Sequence, residues 1–194
     1  MIILASTSPT RQSILTNAGV NFTAVRPNVD ERQLLAENPA WTPADASLCL
    51  ARAKAVEVSL RNAGGLVIGA DQVLSFAQRI YSKPSDIDTA RNQLRDLRGM
   101  THELISSAAC ARNGLELWNI TCRAHMTMRN FSDGFIEAYL SRNGMESTAS
   151  VGAYQLEGLG SQLFDRIDGD YFTILGLPLL PLLEFLRKQG ELET

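Results

Sequence analysis

Apolar runs alternate with stretches of helical periodicity along most of the chain. Short apolar runs at Ile2–Ala5 and residues 66–70 predict buried strands, and a further strand is predicted over residues 22–26. Apolar positions recurring every three to four residues between helix start and stop signals predict helices over residues 8–18, 43–60, 86–97, 132–141 and 178–187. This alternation is typical of an α/β protein.

The dipeptide Asn113-Gly114 separates two strand-like runs, residues 103–111 and 115–128. Asn-Gly is a strong signal for a tight hairpin, so these runs are predicted to pair antiparallel. A shorter pair of strands is predicted around residues 73–81. Because no repeat, low-complexity tract or linker interrupts the pattern, we predict a single α/β domain over residues 1–194, with a mixed sheet and two lobes about a cleft.

Composition then narrows the class of protein. A chain of 194 residues can bury a full core, and its three cysteines lack the spacing of a zinc site or a disulfide framework. The N-terminal segment lacks the length and basic flank of a signal peptide, and prolines break the apolar stretch near residue 180, so we expect a cytoplasmic protein. A net charge of −3 gives no general attraction to nucleic acid or to an anionic membrane.

The segment LASTSPTRQSIL, residues 4–15, joins a strand to a helix through hydroxyl side chains. Free amide groups at a helix N-terminus, the hydroxyls of Ser6 and Ser8 and the guanidinium of Arg11 would together bind a phosphate. The alternative is structural: Ser8 caps the helix, Pro9 occupies its first position and Arg11 is solvated. Taken alone, the segment favours the structural alternative, because Ser-Pro helix starts are common.

An acidic residue follows the apolar strand in VIGADQVL, residues 67–74. We predict that the strand ends at Asp71, and ligands of α/β sheets gather at the carboxyl ends of strands. A turn-forming aspartate is an equally good explanation. Lys54 lies on an Ala-rich helix, so its side chain is expected to snorkel or to have a buried ionic partner.

A charge count favours a nucleotide. A nucleoside triphosphate carries about four negative charges, which Arg11, Lys54 and Lys83 would balance in part, together with a divalent cation. Asp71, Glu31 or Glu157 could hold that cation. The chain contains no Walker A motif, which argues against a P-loop enzyme.

Seven segments in succession resemble one known family, the Maf family of nucleoside triphosphate pyrophosphatases. The segments are LASTSPTRQSIL, Asp30-Glu31, Lys54-Ala55, IGADQV, KPSDIDTARNQLRDLRGMTH, GAYQLEG and IDGDYFTILGLPLLPL. The resemblance implies an inosine-triphosphatase-like α/β fold with a deep cleft, often a homodimer. It also implies hydrolysis of a nucleoside triphosphate to a monophosphate and pyrophosphate, assisted by Mg²⁺ or Mn²⁺.

The resemblance also implies roles for individual residues. Asp71 matches the family's proton acceptor. The implied catalytic residues are Asp71, Lys83 and Glu31, the implied metal ligands are Asp71 and Glu31, and the implied substrate-binding residues are Ser6, Ser8, Arg11, Lys54, Gln72 and Glu157.

The chain also departs from the family pattern. Thr10 stands where the family usually has a first arginine, so phosphate affinity is expected to be weaker. Gln72 and Glu157 resemble the branch acting on 7-methylguanosine triphosphate, whereas the segment 152–154 resembles the branch acting on thymidine and uridine nucleotides. Base preference is therefore open, leaning toward the methylated purine.

Two other functions compete with the enzymatic interpretation. The family is also associated with inhibition of septum formation, so a non-catalytic nucleotide-binding regulator is the alternative; retention of Asp71 and Lys83 favours the enzyme. A phosphatase or nucleic-acid-binding role has no supporting motif. His102, His125, Trp41 and Trp118 are expected to be structural.

Overall fold

The computed structural model describes residues 1–193. The chain divides into two compact units. Unit 1 comprises Met1–Gln72, Ile105–Arg123 and the chain from Asp170 onward. Unit 2 comprises Val73–Leu104 and Ala124–Gly169.

Strands and helices alternate along the described residues, as the sequence predicts. The strands are β1 (Ile2–Ala5), β2 (Phe22–Ala24), β3 (Leu66–Phe76), β4 (Arg79–Tyr81), β5 (Thr101–Arg112), β6 (Leu115–Met128) and β7 (Phe164–Asp168). The α-helices are α1 (Pro9–Asn17), α2 (Glu31–Glu37), α3 (Pro43–Arg61), α4 (Ile87–Leu97), α5 (Asp133–Asn143), α6 (Tyr171–Ile174) and α7 (Leu179–Lys188). Three short 3₁₀ turns lie between α5 and β7.

The sheet of unit 1 has the order β2-β1-β3-β5-β6. Strand β1 is parallel to both β2 and β3, and its last residue, Ala5, lies opposite Gly69. Helices connect these parallel strands, as parallel pairing requires. Strand β3 therefore extends beyond the carboxyl end of β1 from residue 70 onward.

Alternate residues of β1 and β3 are buried on opposite faces of the sheet. Ile2, Leu4 and Ile68 belong to a cluster that contains apolar residues of α1 and α7. Ile3 and Val67 pack on the other face with Val58 of α3. Because both faces are covered by helices, these strands are apolar without interruption.

Unit 2 contains the parts of β3, β5 and β6 that lie outside unit 1. The second half of β3 pairs antiparallel with β4, and the end of β6 pairs antiparallel with β7. Helix α4 begins after Asp86, whose carboxylate accepts from the Thr89 amide at 2.7 Å, and α5 begins after Ser132, which accepts from the Phe135 amide. The predicted mixed α/β sheet is thus confirmed.

The predicted end of the strand at Asp71 is wrong. Strand β3 continues through Asp71 to Phe76, because its second half forms hydrogen-bonded pairs with β4 after a turn at Ala77 and Gln78. The predicted short pair of strands near residues 73–81 is therefore one new strand, β4, and a continuation of β3. The second predicted strand is shorter than expected and ends at Ala24.

An aromatic pair and a buried thiol lie in unit 1. Trp118 stacks on Phe185 at 5.1 Å between ring centroids and is a partly buried residue packed against the core. The cysteines are free thiols, and Cys110 is buried. Across residues 1–193, no helix has both the length and the apolar character needed to cross a membrane.

Candidate active site

A lysine ammonium lies between two carboxylates in unit 1. Lys54 Nζ is 2.6 Å from Asp71 Oδ1 and 2.8 Å from Glu31 Oε1. The side chains of Lys54 and Asp71 are 7% and 9% exposed, whereas that of Glu31 is 48% exposed. The predicted buried ionic partner of Lys54 is thus Asp71, and Glu31 forms the solvent side of the cluster.

Strand register and helix caps place these groups. Asp71 lies two residues past the last pair between β1 and β3. It is internal to β3, but it lies just beyond the point where β1 ends. Glu31 is the first residue of α2, which Asp30 caps by accepting from the Gln33 amide at 2.9 Å. An open depression of about 480 Å³ is lined by residues 28–32.

Burial dominates the electrostatics of Asp71. Removal from water raises the pKa of the Asp71 carboxyl above its ordinary value, while the charges of Lys54 and Arg11 oppose that rise. A carboxylate with a raised pKa is a stronger base than a solvated one. The cluster therefore has the properties of a proton acceptor held beside cations.

Arg11 is fixed by two backbone carbonyls rather than solvated. Its Nε donates to Gly176 O at 2.8 Å and its Nη1 donates to Ala70 O at 2.9 Å. Burial lowers the pKa of the Arg11 guanidinium, and the nearby charges of Asp71 and Glu31 oppose this. The guanidinium is therefore oriented close to Asp71, with nitrogen donors beyond the two used in these bonds.

The prediction that the first helical amides of α1 are free is wrong at Arg11. Its amide donates to Ser8 Oγ at 3.4 Å, so Ser8 is an N-cap, and the amide of Ser8 donates to Ser6 Oγ at 3.2 Å. Pro9 contributes no amide proton. Both hydroxyls retain a proton that can be donated to an anion.

Gln72 makes structural hydrogen bonds with its amide nitrogen. Its Nε2 has two protons and lies within hydrogen-bond distance of three acceptors: Ser106 Oγ at 3.0 Å and the backbone carbonyls of Thr173 and Ile174 at 3.1 and 2.9 Å. Ser106 Oγ also donates to Thr173 O at 2.7 Å. Gln72 therefore anchors helix α6 on strand β3, and contact of its carbonyl with substrate stays a prediction.

Lys83 and Glu157 belong to unit 2, where both residues are exposed. Lys83 precedes Pro84, which is buried, in the segment between β4 and α4. Glu157 lies in the turn that follows the second 3₁₀ segment. Their participation in the site stays a prediction.

Two carboxylates suit a small hard cation. Among residues 1–193, no group of three or more His, Cys, Asp or Glu side chains is close enough to hold a metal ion. Mg²⁺, however, is commonly bound through one or two carboxylates together with substrate phosphates. Asp71 and Glu31 each contact Lys54 through one oxygen, and carboxylates are the ligand type that such an ion takes.

Both histidines have structural partners. His102 is buried and its Nε2 lies 2.7 Å from Tyr154 Oη, and burial lowers its pKa to about 4. His125 is exposed and lies 3.2 Å from Glu103.

Sequence reasoning missed Ser47, which is fully buried beside Asp71. Its Oγ lies 3.2 Å from Asp71 O and 3.3 Å from Ile105 O. Ser47 precedes Ala51 by four residues and Lys54 by seven, so the three positions share one helical face. This spacing was a signal that could have placed Ser47 beside the partner of Lys54.

Known proteins match this α/β chain over nearly its whole length. The family described as Maf-like protein matches residues 1–189. A 7-methyl-GTP pyrophosphatase of Brucella suis biovar 1 (strain 1330) is 51% identical over 192 residues, covering 97% of this chain and 96% of that protein. A nucleoside triphosphate pyrophosphatase of Rhodopseudomonas palustris (strain ATCC BAA-98 / CGA009) is 50% identical over 189 residues, covering 97% and 94%.

A solved structure of a nucleoside-triphosphatase / dITP/XTP pyrophosphatase from Mycobacterium abscessus covers 99% of both chains with a TM-score of 0.43 and 16% identity. Fold and site define an α/β protein with a buried acid and cation pair just beyond the carboxyl end of β1. The chain belongs to the Maf family.

Proposed function

We propose that this protein is a nucleoside triphosphate pyrophosphatase that hydrolyses a nucleoside triphosphate to a nucleoside monophosphate and pyrophosphate. The observation that carries the proposal is the buried Asp71 carboxylate, with its raised pKa, held 2.6 Å from Lys54 Nζ. A protein that only binds nucleotides has no need of a desolvated base. The names of relatives at about half identity support the same activity.

In the proposed reaction Asp71 accepts a proton from a water molecule as that water attacks the α-phosphorus. The new bond joins the water oxygen to the α-phosphorus, and the bond from that phosphorus to the bridging oxygen breaks to release pyrophosphate. Lys54 and Arg11 stabilise negative charge that develops on the phosphate oxygens. The hydroxyls of Ser6 and Ser8 donate hydrogen bonds to the same anion.

A divalent cation, Mg²⁺ or Mn²⁺, would be held by Asp71 and Glu31. When bound, it would neutralise phosphate charge and act as a Lewis acid. Glu31, half-exposed at the start of α2, is the carboxylate better placed to meet a hydrated ion.

Glu157 is proposed to contact the base. A carboxylate only accepts hydrogen bonds, which suits the adjacent N–H donors of a guanine edge, and its charge favours the cationic ring of 7-methylguanine. We therefore propose 7-methylguanosine triphosphate over a pyrimidine nucleotide, in agreement with the names of several relatives. We also propose a role for Lys83 at the phosphates and a homodimer, both supported by the family resemblance, and a cytoplasmic location.

The base preference is tested by Glu157→Gln. The ratio of kcat/KM for 7-methylguanosine triphosphate to that for uridine triphosphate should fall about 10-fold, or about 1–3 kcal/mol for one bidentate contact. Glu146→Gln, at another exposed glutamate of unit 2, is the matched control and should leave the ratio unchanged. Equal losses on both substrates, relieved by added Mn²⁺, would identify Glu157 as a metal ligand instead.

The activity itself is tested by incubating the protein with a panel of nucleoside triphosphates and Mg²⁺ or Mn²⁺ and separating the products. Monophosphate and pyrophosphate in equal amounts are expected. A diphosphate with orthophosphate would place the cleavage at the γ-phosphate and refute the proposal.

A further inference from the structure

Helix α3 packs directly on the face of strand β3 that carries Asp71. Val67, Gly69 and Asp71 alternate along the strand and so share one face. A Cβ at Gly69 would lie 2.2 Å from Ala51 O and 2.6 Å from Ala55 N. The absence of a side chain at Gly69 therefore lets the helix backbone touch the strand.

This close packing brings α3 to Asp71 at two points. Lys54 Nζ contacts the carboxylate, and Ser47 Oγ, two turns earlier, lies 3.2 Å from the backbone carbonyl of the same residue. Ser47 Oγ is also 3.3 Å from Ile105 O of β5. The hydroxyl has one proton for these two carbonyl oxygens, and Ser47 is 0% exposed.

Successive carbonyls of a strand point to opposite edges, so Ala70 O and Asp71 O face different neighbours. Strand β1 ends opposite Gly69, and beyond that end Ala70 O accepts from the Arg11 side chain at 2.9 Å. Asp71 O lies on the side of β5, where Ser47 Oγ contacts it together with Ile105 O. Side chains of α1 and α3 therefore contact successive peptide groups of β3 at opposite edges.

We propose that Ser47 is a positioning residue, which fixes the backbone of Asp71 against α3 and so sets the distance between the Asp71 carboxylate and Lys54. The inference rests on the proposed function for its catalytic consequence. Ser47 touches no reacting atom; it acts through Asp71.

The test is Ser47→Ala with Ser59→Ala as the matched control. Ser59 is also fully buried on α3, and its Oγ donates to Val56 O and accepts from the Gly114 amide, both at 2.9 Å. Ser47→Ala should lower kcat about 10-fold and leave KM within about two-fold, because proton transfer depends on placement of the base. Ser59→Ala should leave kcat near wild type at a comparable loss of thermal stability.

A wild-type kcat in Ser47→Ala, or an equal fall in Ser59→Ala, would overturn the inference. A second readout requires no turnover: at fixed pH, the ¹³C resonances of the Asp71 backbone carbonyl and carboxyl groups should move in Ser47→Ala and stay in place in Ser59→Ala. Unmoved resonances would also overturn it. A wild-type protein that hydrolyses no triphosphate would instead refute the proposed function, with the resonances still deciding whether Ser47 positions Asp71.

Discussion

Replacing Lys54 by methionine should destabilise the protein strongly and in a pH-dependent way. Methionine fills a similar volume but leaves the buried Asp71 carboxylate without the ammonium 2.6 Å away. Breaking a buried ion pair by removing one partner typically costs about 3–5 kcal/mol, because an uncompensated charge remains. The side chain of Asp71 is 9% exposed, so water compensates little of that cost.

The pH dependence follows from the direction of the pKa shift. Burial raises the pKa of Asp71, and the charge of Lys54 is the largest effect opposing it, so loss of Lys54 raises that pKa further. The folded variant then keeps its proton at pH values where the unfolded chain has released it. The protonated carboxyl contributes its full stability to the folded state below the pKa that Asp71 has in the unfolded chain. That contribution is lost as the pH rises through the pKa that Asp71 has in the folded protein. The cost of Lys54→Met should therefore be larger at about pH 8 than at about pH 4.

Urea unfolding in the presence of a metal chelator measures this cost. Four proteins are needed: wild type, Lys54→Met, Asp71→Asn and the double variant, in which removal of both charges should recover about half or more of the loss. Lys188→Met is the control, because Lys188 pairs with Glu184 at 2.6 Å on the surface and should contribute less than about 1 kcal/mol. A cost independent of pH, or a double variant no more stable than Lys54→Met, would refute the ion-pair account.

Three further outcomes are expected. Asp71→Asn should lower kcat about 100-fold or more while the protein stays folded, and steady-state kinetics with thermal unfolding would show it; near wild-type turnover would remove Asp71 as the base. Arg11→Lys should raise KM for the triphosphate and lower the free energy of unfolding by about 1–3 kcal/mol, since one ammonium cannot replace two guanidinium bonds to backbone carbonyls; an unchanged unfolding midpoint would contradict this. The turn residues Ala77 and Gln78 have φ angles of 50° and 62°, so replacing them with Asn-Gly should stabilise the protein by about 1 kcal/mol, and an unchanged melting temperature would show that the turn carries no strain.

Local signals predicted most of the elements that position the site. Asn113-Gly114 adopts φ angles of 52° and 81° between β5 and β6, as a tight hairpin requires, and Ser8 and Ser132 cap the helices predicted from them. These features depend on residues a few positions apart. The sequence alone was therefore sufficient for them.

Features that depend on distant residues were not predicted. The extension of β3 past Asp71 requires β4, and the bonds of Arg11 to Ala70 O and Gly176 O join residues 59 and 165 positions apart. Likewise, nothing near Gln72 in the chain indicates that its amide binds carbonyls of α6. A buried ionic partner for Lys54 was one of the two expectations from the sequence, and the structure identifies that partner as Asp71.

Hydrolysis in ¹⁸O-labelled water tests the central claim most directly. The wild-type protein, 7-methylguanosine triphosphate and Mg²⁺ are incubated in the labelled solvent, and the products are analysed by mass spectrometry. Attack of a water activated by Asp71 on the α-phosphorus predicts one ¹⁸O atom in the nucleoside monophosphate and none in pyrophosphate. Label in pyrophosphate, or in orthophosphate released with a diphosphate, would place the attack at another phosphorus and contradict the account.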